Sequence, residues 1–404
     1  MPGTITYSLL RALADCQYHS SRNLLAFLLF YLYYQVVSSV AVALPKYRQI
    51  FENLKDAITS GQYSPGQRLP SEAELVNLFG ASRITVNRAL RELQTQGIIE
   101  RRAGSGSYVR IVAKVGYTFG LLIPELGQTE IFEPICGGMA RAPHMEQHAL
   151  LWGRSLADSA AKESEARDLC LQLIAKKVSG VFFAPLELTA GKDTTNRSIA
   201  EVFDEASIPI VLLDRDLVAY PERSRYDLIG IDNRRAGYVM TKYLLGLGCK
   251  RVAFLGRLQS APTVDARIAG YREAVLDAHV EFDPQFIARI EPWDKEQVKD
   301  ILHRLRPEGI VCANDYTAGQ LMRTLNELSV AVPDQIRVTG MDDVKYASLL
   351  PVPLTTLHQP CAEIGATAVA HMIQRLEDPS LPARDTLLDF HIVVRRSCGS
   401  KGSH

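Results

Sequence analysis

The sequence predicts an α/β protein in two parts: a small N-terminal winged helix-turn-helix, and a larger core of two doubly wound parallel α/β lobes. Three observations predict it. The stretch Leu69–Val109 holds two helical patterns, a three-residue break and an Arg- and Gly-rich tail that turns into strand. From Gly116 onward, apolar runs of four to seven residues alternate with helical segments. Charge is uneven: Lys+Arg and Asp+Glu are both 45 over the whole chain, yet residues 45–110 carry ten basic against six acidic residues, a local excess of +4.

The elements follow in order. Residues 45–60 place Ile50, Leu54, Ala57 and Ile58 at helical spacing. The loop GQYSPGQRLP is rich in Gly and Pro. Ser71 followed by Glu74 fits a capping box that opens a short helix carrying Leu75, Leu78 and Phe79. GAS breaks it, and Ser82 caps a second helix from Arg83 to about Thr95, with Val86, Ala89, Leu90 and Leu93 as its apolar stripe. Gly97 ends that helix, and IIERR-AGSG-SYVRI reads as two short strands joined by a Gly turn. Beyond Gly116, the runs FGLLIP, GVFFAP, PIVLLD, LIGID, RVAFLG, GIVCAND and IRVTGMDD alternate with helices. Uniformly apolar strands in βα alternation imply a parallel sheet covered on both faces. Two such series in succession imply two lobes, joined to the first domain by the short RIVAKVGY.

Composition bounds the rest. A chain of 404 residues holds two or three domains, and 47% hydrophobic with 22% charged residues excludes disorder. Seven cysteines stand singly, without CxxC or metal-spaced Cys/His groups, so neither a metal nor another cofactor is expected and a reducing compartment fits. Leu24–Leu44 is 21 residues without a charge, long enough to cross a bilayer. It reads as a membrane anchor, as a secretory signal, or as translation assigned from too far upstream; secretion conflicts with everything downstream.

A helix, a short Gly-containing turn and a second helix is the arrangement that lays the second helix in a DNA major groove, its first residues facing base edges. Those residues are Ser82, Arg83, Thr85 and Asn87. Arg suits guanine and Asn suits adenine; Ser82, Thr85 and the helix N-terminus suit phosphate. Arg101 and Arg102 precede the Gly turn and suit a β-wing on backbone or minor groove. The plain alternative is a small helical subdomain with a solvated Arg face. The residues carry more than this bare pattern: YRQIFENLKDAITSGQYSPGQRLPSEAELVNLFGASRITVNRALRELQTQGIIERRAGSGSYV resembles the N-terminal winged helix of the GntR family throughout. The resemblance adds Arg68, Ser71, Arg88, Ser105 and Gly106 to the DNA-facing set. Several branches have Arg where this chain has Asn87, which alters the operator sequence implied.

Residues 117–398 do not look like the lyase-like ligand domain of the histidine-utilisation branch. IPIVLLDRD, IGIDNRRAGYVMTKYLLGLGCKRVAFLG, DARIAGYREA, GIVCANDYTAGQLM, VTGMDDVKYASLLPVPLTTLHQP and IGATAVAHMIQRL resemble the LacI/GalR effector core, itself similar to periplasmic sugar-binding proteins. The resemblance implies a ligand in the inter-lobe cleft held by Asp214, Arg267, Asn314, Asp342 and Gln359, with Trp293 stacking. The plain readings are that Asp214 and Asp342 cap helices, that Arg267 makes a surface ion pair and that Trp293 packs. Two departures stand out: Cys361 replaces a common aromatic, and the first-strand loop PELGQTEIFEPI brings Glu125, Gln128 and Glu130 toward the ligand, with Glu125 counted in the site.

The expected domains are 1–44 as a hydrophobic extension, 45–112 as the winged helix and 117–398 as the effector core. Lobe 1 is about 117–228 plus a crossing segment near 355–377, and lobe 2 is about 229–354 plus the C-terminal strand. The combination resembles GntR–LacI chimeras. It implies a cytoplasmic, homodimeric transcriptional repressor on a palindromic double-stranded operator, controlled by a small monosaccharide. The alternatives are a solute receptor without DNA function and a regulator tethered to the inner membrane through residues 24–44. No G-x-G-x-x-G after the first strand, G-x-x-x-x-G-K-[ST], G-x-S-x-G or H-E-x-x-H occurs, so no enzyme is expected.

Overall fold

A computed structural model describes residues 45–59, 61–64, 66–102, 104–109, 116–123, 131–143, 145–153 and 162–400. The extension 1–44, most of the RIVAKVGY link and Glu125, Gln128 and Glu130 lie outside them. The chain divides into two compact units, one ending at Lys114 and one beginning at Val115.

In the first unit, α1 (Lys46–Thr59), α2 (Glu72–Phe79) and α3 (Arg83–Thr95) pack with β1 (Ile99–Arg102) and β2 (Gly106–Val109). Ile50, Phe51 and Leu54 of α1 meet Leu75 of α2 and Val86, Ala89, Leu90 and Leu93 of α3, with Ile99 and Val109 closing the core. The i, i+3, i+4 spacing puts each set on one helix face. The capping box forms as the residues predict: the Glu74 N–H donates to Ser71 Oγ at 3.3 Å, and the Ser71 N–H to Glu74 Oε2 at 2.7 Å. Gly80, at φ 54°, ends α2 in the left-handed region, where a side chain is disfavoured. The two strands pair antiparallel from Ile99↔Val109 to Arg102↔Gly106.

The second unit is built on two parallel sheets. The first has six strands in the order β13-β7-β6-β5-β3-β4: Asp385–Leu388, Asp227–Ile231, Ile210–Leu213, Gly180–Phe183, Thr118–Leu122 and Ala149–Trp152. The second has four in the order β11-β10-β8-β9: Arg337–Thr339, Gly309–Cys312, Val252–Gly256 and Ile287–Arg289. Its central strands, β8 and β10, are buried along their whole length, as a parallel sheet covered on both faces requires.

Three strand-to-helix or strand-to-strand connections join the lobes. The chain leaves β7 into α7 (Asn233–Gly246), which packs on α8 (Pro262–Asp277) beside the second sheet. It returns through β12 (Thr356–His358) into α11 (Cys361–Glu377), which packs on α4 (Phe132–Ala140) beside the first. After β13 it goes back as β14 (His391–Val393), antiparallel to β12. The six-stranded sheet thus includes Asp227–Ile231 and Asp385–Leu388, while Thr356–His358 pairs with β14 outside it.

Candidate functional site

Each unit presents a candidate site of its own. On the first, the α3 N-terminus is fixed by local bonds. Ser82 Oγ accepts the Thr85 N–H at 3.2 Å and shares a 2.8 Å hydrogen bond with Thr85 Oγ1. Ser71 is engaged likewise at α2. These hydroxyls hold the helix starts, which turns backbone N–H groups toward an anion.

A residue that sequence reasoning missed organises the cations. Glu72, on α2, accepts from Arg83 Nε at 3.2 Å, from Asn87 Nδ2 at 3.2 Å and from Arg101 Nη2 at 2.5 Å. Arg101 Nη1 also donates to Asn87 Oδ1 at 2.9 Å. Thus Arg83, Asn87 and Arg101, from α3 and β1, converge on one carboxylate, and the Arg83 side chain stays 82% exposed. Arg88 lies over the Tyr47 ring at 3.8 Å. At the wing, Arg102 lies 4.7 Å from the Tyr108 ring centroid, and Ser105 Oγ is 2.6 Å from Tyr108 Oη. Gly106 has φ 120°, and a Cβ there would stand 2.9 Å from Arg68 Nε. Glycine lets Arg68 lie flat across the wing.

On the second unit, a cavity of about 310 Å³ opens between the lobes at the carboxyl ends of their strands, where open α/β sheets place ligands. Asp214 follows β6 at φ 67°. Its Oδ1 is buried without a hydrogen-bond donor, and Oδ2 lies 3.4 Å from Arg215 Nε. Arg267 projects from α8 and is 4% exposed. Its Nε donates to Asn233 Oδ1 at 2.8 Å and its Nη1 to the Ala313 carbonyl at 2.5 Å, with Nη2 3.9 Å from Asp342 Oδ1. Asn314 caps α10 (Asp315–Glu327) by accepting the Thr317 N–H at 2.9 Å. Asp214, Arg267, Asn314 and Asp342 all line the cavity.

Two expected residues do not. Trp293 is 45% exposed, and its ring carries the Arg257 guanidinium at 4.7 Å; Arg257 reaches the cavity in its place. Gln359 is buried behind Asp342, donating to its Oδ1 at 2.6 Å. Sequence reasoning also missed Glu187, Arg215, Phe132 and Tyr316, which line the cavity. Arg215 had a usable signal, the position directly after Asp214 at a strand end. Glu187 pairs with Arg215 and accepts the Ala261 N–H from the other lobe at 3.0 Å; beside it, the Leu188 N–H donates to the Gln259 carbonyl at 2.7 Å. These two hydrogen bonds bridge the cleft.

Environment separates the cavity carboxylates. Burial pushes Asp214 above the usual carboxylate range, against the pull of Arg215 and Arg267. Burial also raises Glu187, but the charge and hydrogen bond of Arg215 and the Ala261 N–H outweigh it, and the net shift is downward. Carboxylate acceptors, guanidinium donors and the rings of Phe132 and Tyr316 suit an uncharged polyhydroxyl ligand with an apolar face. Among the described residues, no group of three His, Cys, Asp or Glu side chains could hold a metal ion.

Comparison with known proteins matches both units. Residues 46–109 match the gntR family of bacterial regulatory proteins, and residues 241–398 match the periplasmic binding protein-like domain. The chain is 28% identical over 370 residues to the arabinose metabolism transcriptional repressor of Geobacillus stearothermophilus, covering 88% of this chain and 98% of that protein. It is 28% identical over 285 residues to the HTH-type transcriptional repressor PurR of Vibrio campbellii, covering 69% of this chain and 80% of that protein. Among solved structures, the transcription regulator CcpA of Lactococcus lactis aligns with a TM-score of 0.58 at 22% identity, covering 70% of this chain and 99% of that one. The gntR match thus falls on the helix pair with its wing, and the periplasmic-binding-protein-like match on the two-lobed unit that holds the cavity.

Proposed function

We propose that the chain acts in the cytoplasm as a homodimeric repressor whose grip on a palindromic operator is controlled by a small monosaccharide in the inter-lobe cavity, and that it catalyses no reaction. The observation that carries the effector reading is Asp214 Oδ1, a buried acceptor with no donor, facing a cavity of about 310 Å³. A buried polar atom without a partner costs free energy that a ligand hydroxyl recovers. A pentose is the expected effector; the Geobacillus relative is named for arabinose metabolism. Arg267, Asn314 and Asp342 bond the ligand, Gln359 fixes Asp342, and Trp293 holds Arg257 at the cavity. On the DNA side, Arg83 and Asn87 face base edges, and Arg68, Arg88, Arg101 and Arg102 face the phosphate backbone.

Two measurements test this. The purified chain is used to select duplexes from a random pool, and a thermal-shift screen of monosaccharides is run in parallel. The expected results are a palindromic operator whose affinity falls steeply with salt, and one sugar that both raises the melting temperature and changes operator affinity. A chain that binds the sugar but selects no duplex is a solute receptor instead.

A further inference from the structure

On the DNA-facing side of α3, one side chain is chemically out of place. Ile84 is 83% exposed, in the first turn of the helix, while the other apolar residues of α3, Val86, Ala89, Leu90 and Leu93, are buried. Residues three, four and seven positions on share its face; these are Asn87, Arg88 and Arg91. Ile84 therefore stands on the polar face, opposite the core stripe. Its exposure serves no packing in this unit, and isoleucine is not a favoured helix former.

The residues around it are held in place. Arg83 and Asn87 are tied to Glu72, and Thr85 to Ser82. Ile84 projects from between them without a hydrogen-bonding group of its own. In a helix-turn-helix the first turn of the second helix meets base edges in the major groove. Only one base presents an alkyl group there: thymine, whose C5-methyl stands beside its O4 acceptor. A β-branched alkyl side chain gains contact against that methyl, and it desolvates a donor or acceptor edge without replacing its hydrogen bonds.

We infer that Ile84 is a base-reading residue, packing on the C5-methyl of a thymine in each operator half-site and so requiring T at that step. The inference rests on the DNA-binding reading of this unit and adds a base identity that the polar residues do not supply.

The test uses the full chain and an operator that the chain itself selects from a random duplex pool. Each thymine is replaced in turn by deoxyuridine, which pairs alike but lacks the methyl. At one thymine per half-site, methyl loss is expected to weaken wild-type binding about threefold to fivefold, the worth of one apolar group removed from water. Ile84→Ala should bind the two duplexes equally at that position and unfold at the wild-type temperature. Leu78→Ala should retain the wild-type ratio; Leu78 is also exposed, at 67%, but lies on α2. A selected operator that is tight but indifferent to every methyl, or one without thymine there, overturns the assignment of Ile84 alone. So does a ratio that persists in Ile84→Ala. If no duplex is selected at all, the DNA-binding reading falls and the assignment falls with it.

Discussion

Asp214 leaves a carboxylate oxygen without a donor in the cleft, and burial holds its pKa above the usual range while Arg215 and Arg267 oppose that shift and Glu187 adds to it. A sugar hydroxyl donating to Oδ1 stabilises the ionised form. Effector affinity is therefore expected to fall as pH drops through the raised Asp214 pKa, because binding must then expel a proton; calorimetric titration across the acid range checks this, and Asp214→Asn should flatten the profile. For folding alone the sign is opposite. A carboxyl raised in the folded state adds stability below its unfolded pKa and loses it as pH rises through the raised one. Glu187 runs the other way: its lowered pKa adds stability above the unfolded value that is lost in acid. Arg267 gives a second prediction. Arg267→Ala leaves Asn233 Oδ1 and the Ala313 carbonyl without the donor each now has, a loss of about 1–3 kcal/mol readable by urea unfolding, and it abolishes the effector response while operator affinity stays at the wild-type value. Arg267 was legible only through the resemblance that DARIAGYREA carries, since the residues alone read as a surface ion pair. Glu187, in PLELT, was not, since its partners Arg215 and the Ala261 N–H lie 28 and 74 positions away and neither spacing leaves a local mark.

Helices α7 and α8 meet through their glycines. A Cβ at Gly237 would stand 1.9 Å from the Arg267 carbonyl oxygen, and one at Gly270 1.8 Å from that of Arg234. Glycine within a helix costs stability relative to alanine, so these two residues are explained only by the close approach they permit. That approach sets where α8 lies and hence where Arg267 enters the cavity. Gly237→Ala is expected to force the helices apart, lowering stability by about 1–3 kcal/mol in chemical denaturation and weakening the effector at least as much as Arg267→Lys does. An intact effector affinity in a destabilised Gly237→Ala would show that α8 does not position the guanidinium. The same element scale explains what the sequence withheld. The apolar runs at 118–122, 180–183, 210–213, 252–256 and 309–312 are buried strands, and period and composition mark such runs. Ala149–Trp152 and Ile287–Arg289 escaped notice because they are edge strands of four and three residues, too short to show a period. The swap of β13 into the first sheet escaped it because a strand pairing across 157 positions, Asp385 with Leu228, follows from tertiary closure and not from local pattern.

At the scale of the whole molecule, the reading-head residues and the cavity residues belong to separate compact units, so regulation requires a coupling free energy between two sites. Such coupling is reciprocal: whatever factor the sugar applies to operator affinity, the operator must apply to sugar affinity. Sequence reasoning could place the two sites, because each has its own motifs, but the short RIVAKVGY between them carries no motif that tells how a signal would cross. The decisive prediction separates sites from link. Arg83→Ala, exposed and without a core role, should lose operator affinity about tenfold, as expected for a charge-assisted base contact of about 1–3 kcal/mol, and keep the sugar-induced rise in melting temperature. Arg267→Ala should do the reverse. A flexible Gly/Ser insertion within 111–115 should keep both affinities and collapse the coupling factor toward one, measured as the ratio of sugar affinities with and without saturating operator. If the insertion leaves that ratio unchanged, the link does not carry the signal, and if Arg83→Ala and Arg267→Ala lose the same property, the chain does not hold two separable sites.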